Sequence, residues 1–456
     1  MKIPRLLLMV SLGLSLLLFA LFATPLWAQE DQTGPGTGNT APIVINQTIP
    51  GAGNGAAISL AQDSPLVQSA YDFLVEQASK IQTASLRRAT SDAIDNPKTC
   101  VRHRAGVNDS QKQAILQKLL EAGLVDPADD TTFPGGLITG VFPPLLKDGS
   151  ACPQLPQTFF SAPGSGVNSH HSYPGGLVVH EAFNDLSDIS FASNYRRVYG
   201  QVGRDGLPVI KPYKDTSSQK SADIYISEDI IIAAPIWHDW AKPIVFQWNS
   251  DGSEFQELNF GGNGKTDIYG ATGDSRTGGH HIIGLAEAMK RGLSPDFVIT
   301  QASAHSAPTL GNEYKVVNWL RAAAILAQID PVEQGYLFVD SQNHLRLPPL
   351  RKLGSIDLTA GTPSQTNLLV EYVLHNLSDA DFSLTIPAVT TDQFVILQAI
   401  ASQFGYNPTD TATYNNRFRN PVLSYLSAER LLIIYGNSGL DGVIAEVKKL
   451  SQQGII

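Results

Sequence analysis

Histidine is scarce in this chain and unevenly placed, and that placement constrains the fold more than any other feature. Of 10 histidines, three fall within residues 169–184 (SHHSYPGGLVVHEAFN), and His238, His280, His281 and His305 follow before residue 306. Imidazole with carboxylate, and without thiolate, is a ligand set for a divalent transition metal such as zinc, iron, manganese or nickel. The pattern around these positions is helical, so the fold must bring several helices together with their histidines at a common point.

The first 28 residues read as a secretory signal peptide, the alternative being an uncleaved membrane anchor, since the apolar run approaches the roughly 20 residues that span a bilayer. Lys2 and Arg5 precede a nearly unbroken Leu, Val, Phe and Ala run, and PLWA ends on a small residue before Gln29. Cleavage there leaves no second apolar run of spanning length, so the expectation is an exported chain, periplasmic or secreted, with no membrane span. Without a twin-arginine pair, export proceeds unfolded and metal is loaded afterwards. The formal net charge is −10, and removal of Lys2 and Arg5 makes the mature chain more acidic still. Such a surface repels a nucleic-acid backbone, and no dense run of Lys and Arg offsets it. A small molecule is therefore the expected partner rather than a nucleic-acid polymer. Cys100 and Cys152 are the only cysteines. An even count in an exported chain predicts a disulfide, the alternative being two buried thiols.

Residues 29–63, rich in Gly, Thr, Asn, Gln and Pro, read as a flexible linker. Apolar residues at steps of three and four from Val67 predict a helix that starts at Ser64-Pro65, and a second is expected over 110–122. Residues 127–166 are dense in Pro and Gly and read as loop. Further helices are expected over 174–189, 227–241, 279–291, from Ser294-Pro295 to about 306, and over 313–329. Residues 191–220 read as an insertion of loops and short strands, and residues 245–274 as a small β-hairpin. Beyond residue 335 a short extended segment leads to helical patterns over 366–376, 391–404, 421–435 and 440–452. The sum is a mostly α-helical protein with no internal repeat.

The candidate ligands sit on these helices. His180 is mid-helix, His238 and Asp239 lie near a helix end, His280 is in a first turn, His305 is near a helix end, and Asp330 closes the last helix. Adjacent residues on a helix diverge by about 100°, so His238 and Asp239 reach one ion only if it sits between their directions. A carboxylate in that position can bridge two metals.

In this order the motifs resemble the HD-domain superfamily of metal-dependent phosphohydrolases, in the branch that includes HD-type exoribonucleases and relaxase-associated proteins. HHSYPGGLVVHEAFN resembles that branch's entry motif, HDWAK the His-Asp-x-x-Lys core, GHHIIG and ASAHSAP the third and fourth motifs, and AAAILAQID the helix that ends in the final Asp. The resemblance covers about residues 165–332. It implies an HD-domain-like helical bundle over 64–345, with small β and loop insertions and a C-terminal helical extension over 346–456. It also implies that His180, His238, Asp239 and Asp330 hold a first metal, that Asp239 bridges to a second held by His280 and His305, and that Lys242 meets a substrate phosphate. The His-x-x-Ile-Gly spacing favours His280 over His281. The chain departs from the pattern in having Ala241 before the Lys, a long gap between His180 and His238, and an export signal.

The expected function is hydrolysis of a small phosphate ester, possibly nucleotide-like, by water activated on one or two divalent ions. Asp239 holds metal and accepts a proton, and Lys242 stabilises developing charge. Glu181 is a candidate to orient an imidazole. His170, His171 and Tyr173 are expected to frame the pocket mouth, and Arg276 and His281 are candidates for contact with substrate. Two alternatives remain open. One is an HD-type di-iron oxygenase with the same ligands, and the other is a secreted binding module with a degenerate site.

Overall fold

The computed structural model describes residues 51–200, 202, 204–207, 210, 224–263, 275–308, 312–349 and 369–456. The signal peptide expected over 1–28 and most of the expected linker lie outside these residues. The remainder is mostly α-helical. Helix α1 is Asn54–Asp63, α2 Pro65–Lys80, α3 Ala84–Asp95, α4 Asp109–Glu121 and α5 Gly176–Tyr199. They are followed by α6 Glu228–His238, α7 Gly279–Lys290, α8 Pro295–Ala302 and α9 Glu313–Ala327. The C-terminal part carries α10 Val370–Ser378, α11 Phe382–Thr391, α12 Asn420–Leu426 and α13 Ala428–Gln452, with single helical turns between them.

Local sequence explains most of the boundaries. Pro65 occupies the first turn of α2, and the Ser64 hydroxyl accepts from the Val67 N–H, which satisfies a donor that the helix itself cannot. Helix α4 opens with a reciprocal capping box between Asn108 and Gln111. Gly292, with φ +71°, ends the turn after α7, and Gln328 adopts a left-handed conformation to end α9. Two-residue strands pair antiparallel: β1 Asn259–Phe260 with β2 Thr277–Gly278, and β3 Phe338–Val339 with β4 Leu345–Arg346.

Helix α6 (EDIIIAAPIWH) is buried from Ile230 to His238. A helix that is apolar all round has to sit inside the molecule; α6 packs against α5, α8 and α10. Trp237 and Trp240 anchor its end by donating their indole N–H to Thr90 Oγ1 at 2.9 Å and to the Ala93 carbonyl at 3.0 Å. The Arg291 guanidinium lies over both indoles, 5.6 and 5.9 Å from the ring centres.

Two large apolar cores result, with a third, small cluster of Ala192, Ile226, Ile231 and Leu374 between α5, α6 and α10. The larger is built from the N-terminal helices and α5–α9, and it also takes in Leu369 and Tyr372 at the start of α10. The smaller is formed by α11–α13 and their connecting turns, with Tyr173 inserted from the loop before α5. Arg419 ties the two together, donating to the Ser172 carbonyl at 2.9 Å with buried Glu254 as its counter-charge.

Several expectations change. Residues 54–63, assigned to a linker, form α1, because the Asn54 amide donates to the Pro156 carbonyl and its oxygen accepts from Trp248 N–H. Helix α3 fills a stretch with no assigned element. Helix α5 continues to Tyr199 through residues expected to be loop, with Ala192, Ser193 and Arg196 on its buried face. Helix α6 stops at His238, with Asp239 as its cap at φ −104°. The chain turns there, so His238 and Asp239 are not held to the divergence of a regular helix. The hairpin is reduced to β1 and β2 with a bridge between Trp248 and Glu254, and residues 264–274 lie outside the description. A second apolar run does exist: Val370–Phe404 is long and apolar enough to cross a bilayer by length and composition. Half of its most apolar window is buried inside the protein, shared between the two cores.

The expected disulfide joins Cys100 and Cys152, with Cα atoms 5.1 Å apart. Replacing both cysteines by serine is expected to lower unfolding free energy by about 3–4 kcal/mol on the chain-entropy view of a loop of about 50 residues, measurable by urea unfolding. Burial raises the Glu254 carboxyl to about 7, with Arg419 pulling it down. A carboxyl raised on folding contributes stability that is fully present below its unfolded value and is lost as pH rises to its folded value. Stability is therefore expected to fall from about pH 4.5 to about pH 7, and Glu254→Gln should flatten that slope.

Candidate metal centre

Three helices and a turn bring the predicted imidazoles to one carboxylate. Asp239 is completely buried at the end of α6. Its Oδ2 faces His180 Nε2 at 3.4 Å and His238 Nε2 at 3.2 Å. Its Oδ1 faces His280 Nε2 at 3.1 Å. Asp239, His280 and His305 present ligand atoms within 4.8 Å of one another, as do His180, Glu181, His238 and Asp239. One carboxylate thus has each oxygen turned to a different half of the cluster.

His238, His280 and His305 are each oriented by a hydrogen bond at the other nitrogen, while His180 has a carboxylate nearby without one. His180 Nδ1 lies 3.1 Å from Asp381 Oδ1, and His280 Nδ1 lies 2.7 Å from Glu257 Oε2. His238 Nδ1 lies 2.9 Å from the Pro235 carbonyl and 3.3 Å from Glu181 Oε2. His305 Nδ1 lies 2.7 Å from Thr277 Oγ1 on β2. Holding Nδ1 in this way fixes the tautomer and aims Nε2, the arrangement found around metal-binding histidines. Helix packing sets the positions. Gly284 on α7 lets the Gln301 amide and the His238 carbonyl approach, within 3.3 and 3.6 Å of where a Cβ would stand, and Gln301 donates to the Trp237 carbonyl at 3.1 Å.

The charges are interlocked. Burial pushes the Asp239 carboxyl up, but His238, Lys242 and His280 outweigh it and hold it well below the usual carboxylate range. Burial lowers the imidazoles, yet Asp381, Asp239 and Asp379 hold His180 well above its ordinary value, and Glu257 and Asp239 bring His280 to about 9. Lys242 Nζ contacts Asp239 Oδ2 and donates to the Gly164 carbonyl.

Asp330 does not join the cluster. It is exposed after α9, and its Oδ1 accepts from the backbone N–H of Val332 and Glu333, so it caps a turn. The carboxylate in its expected place is Asp379, from the turn after α10. Asp379 Oδ1 lies 3.0 Å from His180 Nε2 and 3.2 Å from His238 Nε2. It accepts from the Asn184 amide at 3.4 Å, across 195 residues of sequence. His375, on α10 and completely buried, places its ring 5.2 Å from that of His238. The signal that could have found both is the spacing His375-x-x-x-Asp379, one helical turn, in the segment HNLSDAD.

The other candidates fall as follows. His281 is buried behind the cluster, stacked on His305 at 4.1 Å and edge-on to Trp319 at 4.9 Å, and neither of its ring nitrogens is hydrogen-bonded. It is a packing group rather than a substrate contact. Arg276 is exposed and does not line the central cavity. Tyr173 is fully buried in the smaller core and does not frame the entrance. Glu181 stands beside His238, as expected of an orienting group. A cavity of about 70 Å³ opens on the cluster, lined among others by His170, Asp239, Lys242, His305, Asp379 and Phe382. That is room for several waters or one small anion.

Comparison with protein-family models, with curated proteins and with solved structures gives no match. The site therefore stands on its own geometry, and this donor set of buried, pre-oriented imidazoles and carboxylates suits a divalent transition metal.

Asp379→Asn is expected to lower metal affinity by at least the 10–100-fold typical of losing an orienting group, while Asp330→Ala should leave it unchanged. Metal analysis of the purified variants checks both, and equal losses from the two would contradict the assignment.

Proposed function

We propose that the chain is an exported metal-dependent phosphohydrolase that acts on a small phosphate ester, with His180, His238, Asp239, Asp379, His280 and His305 as the residues that hold one or two divalent ions. The observation that supports this reading most is the convergence of pre-oriented imidazoles on the two oxygens of Asp239, with Lys242 at the wall of a cavity of phosphate size. When bound, a divalent ion lowers the pKa of a coordinated water from about 16 towards 7 and neutralises phosphoryl charge.

The chain's own groups supply the rest. Lys242 lies beside Asp239 and the cavity, so its ammonium can meet a phosphoryl oxygen and stabilise charge as it develops. Asp239 would hold the ions, and its Oδ2 becomes free for that role when Lys242 turns to substrate. Glu257, Thr277 and the Pro235 carbonyl keep His280, His305 and His238 in one tautomer throughout. Phe382 and Leu377 on the cavity wall offer an apolar surface to the leaving group, and the small cavity excludes bulk water.

Asp379 brings the set to four histidines and two aspartates, which also fits the HD-type di-iron oxygenase reading. Iron content with oxygen consumption would favour that reading over hydrolysis.

A panel of phosphomonoesters and phosphodiesters assayed with Mn, Zn or Ni is expected to reveal hydrolysis that Asp239→Ala abolishes. Lys242→Ala should lower kcat by about 10²–10³-fold, as for loss of one charge-stabilising donor. Full activity in Asp239→Ala would overturn the mechanism.

A further inference from the structure

His180 has a second set of neighbours on the side away from Asp239. The rings of His170 and His171 lie 4.8 and 5.2 Å from its own. The three residues present ligand atoms within 4.8 Å of one another, and all three are buried. Two carboxylates accompany them. Asp381 sets one oxygen 3.1 Å from His180 Nδ1 and the other 3.7 Å from His171 Nε2. Glu429, from the first turn of α13, sets its Oε1 3.4 Å from His171 Nε2. Among the described residues these two carboxylates pair with the imidazoles and with no lysine or arginine.

The loop is shaped to hold this group. His171 has a φ of +49°, a left-handed conformation that costs a non-glycine residue free energy. Its carbonyl accepts from the N–H of Gly164 at 2.9 Å and of Tyr173 at 2.8 Å. A Cβ on Gly176 would stand 1.9 Å from that carbonyl oxygen, and one on Gly164 would stand 2.5 Å from the His171 Cβ. The two glycines are what let His171 take this place. The Tyr173 hydroxyl, fully buried beside it, has no hydrogen-bond partner.

We propose that His170, His171 and His180, with Asp381 and Glu429, form a further divalent-cation site next to the central cluster. Three imidazoles and two carboxylates with no thiolate suit zinc, iron or nickel. Imidazoles bound tetrahedrally to one zinc ion at about 2.0–2.1 Å stand about 3.4 Å apart, so ligand atoms that now lie within 4.8 Å of one another draw together by up to about 1.4 Å when the ion binds. Nδ1 is the His180 nitrogen beside Asp381 and Nε2 the one facing Asp239, so with both sites filled the ring bridges them as an imidazolate, its proton released to solvent as the cation binds. A cation here adds counter-charge to Asp381 and Glu429, whose present partners are imidazoles. It also couples α13 and the turn after α10 to the loop before α5.

The test is a crystal of the full chain loaded with zinc, measured at the zinc absorption edge, with metal content by mass spectrometry. The expected result is an anomalous peak bonded to His171 and His170 in addition to density at Asp239. His171→Gln and Glu429→Gln should each lose that peak and one ion per chain, while the density at Asp239 stays. Central density without a peak beside His171 overturns the proposal. A peak beside His171 with none at Asp239 supports this site and counts against the proposed function, so the two readings fail separately. Thermal unfolding of each variant shows whether a loss of metal reflects the site or the fold.

Discussion

A carboxylate with no exposure to water is tolerated only where counter-charge and hydrogen bonds replace its hydration. Asp239 is such a group, and the architecture follows from meeting its needs. Three imidazoles and the Lys242 ammonium stand close around it. Each imidazole needs an acceptor of its own, so Asp381, Pro235 and Glu257 form a second layer of partners. The helices that carry these groups must be buried, which is why α6 is apolar on every side and why two tryptophans and Arg291 pin its end.

The helical nature of the chain was largely legible in the sequence, because periodicity, caps and stops are local. Ser64-Pro65, Gly292 and the Pro-Gly-Gly before α5 all mark boundaries within a residue or two of the observed ones. Helix α3 was not legible. Its apolar positions, Leu86, Ala93 and Ile94, are sparse, and its stability comes from packing on α2 and α6 rather than from its own pattern. The end of α5 was misread because its last turns bury Ala192, Ser193 and Arg196 rather than large apolar residues.

The site divides in the same way. His180, His238, Asp239, Lys242, His280 and His305 could be found because each stands in a short motif with a physical rationale. Asp330 was assigned because it ends a helix in the expected order, but order along the chain does not fix direction in space. The left-handed turn at Gln328 carries it out to solvent. Asp379 and Asp381 come from a tail with no recognisable motif, and only tertiary structure returns that tail to His180. The boundary drawn near residue 346 thus cuts through the ligand set, since Tyr372 belongs to the larger core and Asp379 to the centre.

That long return has a consequence for the life of the molecule. The contact between Asn184 and Asp379 closes a loop of 195 residues, so the cluster reports on the integrity of the whole stretch from α5 to α10. An unfinished chain that stops before α10 keeps His180, His238, His280 and His305 but forfeits Asp379 and Asp381, and a cut between α5 and α6 that lets the pieces separate parts His180 from the other three. On the proposed function, metal would then be held by an intact molecule and lost from a fragment.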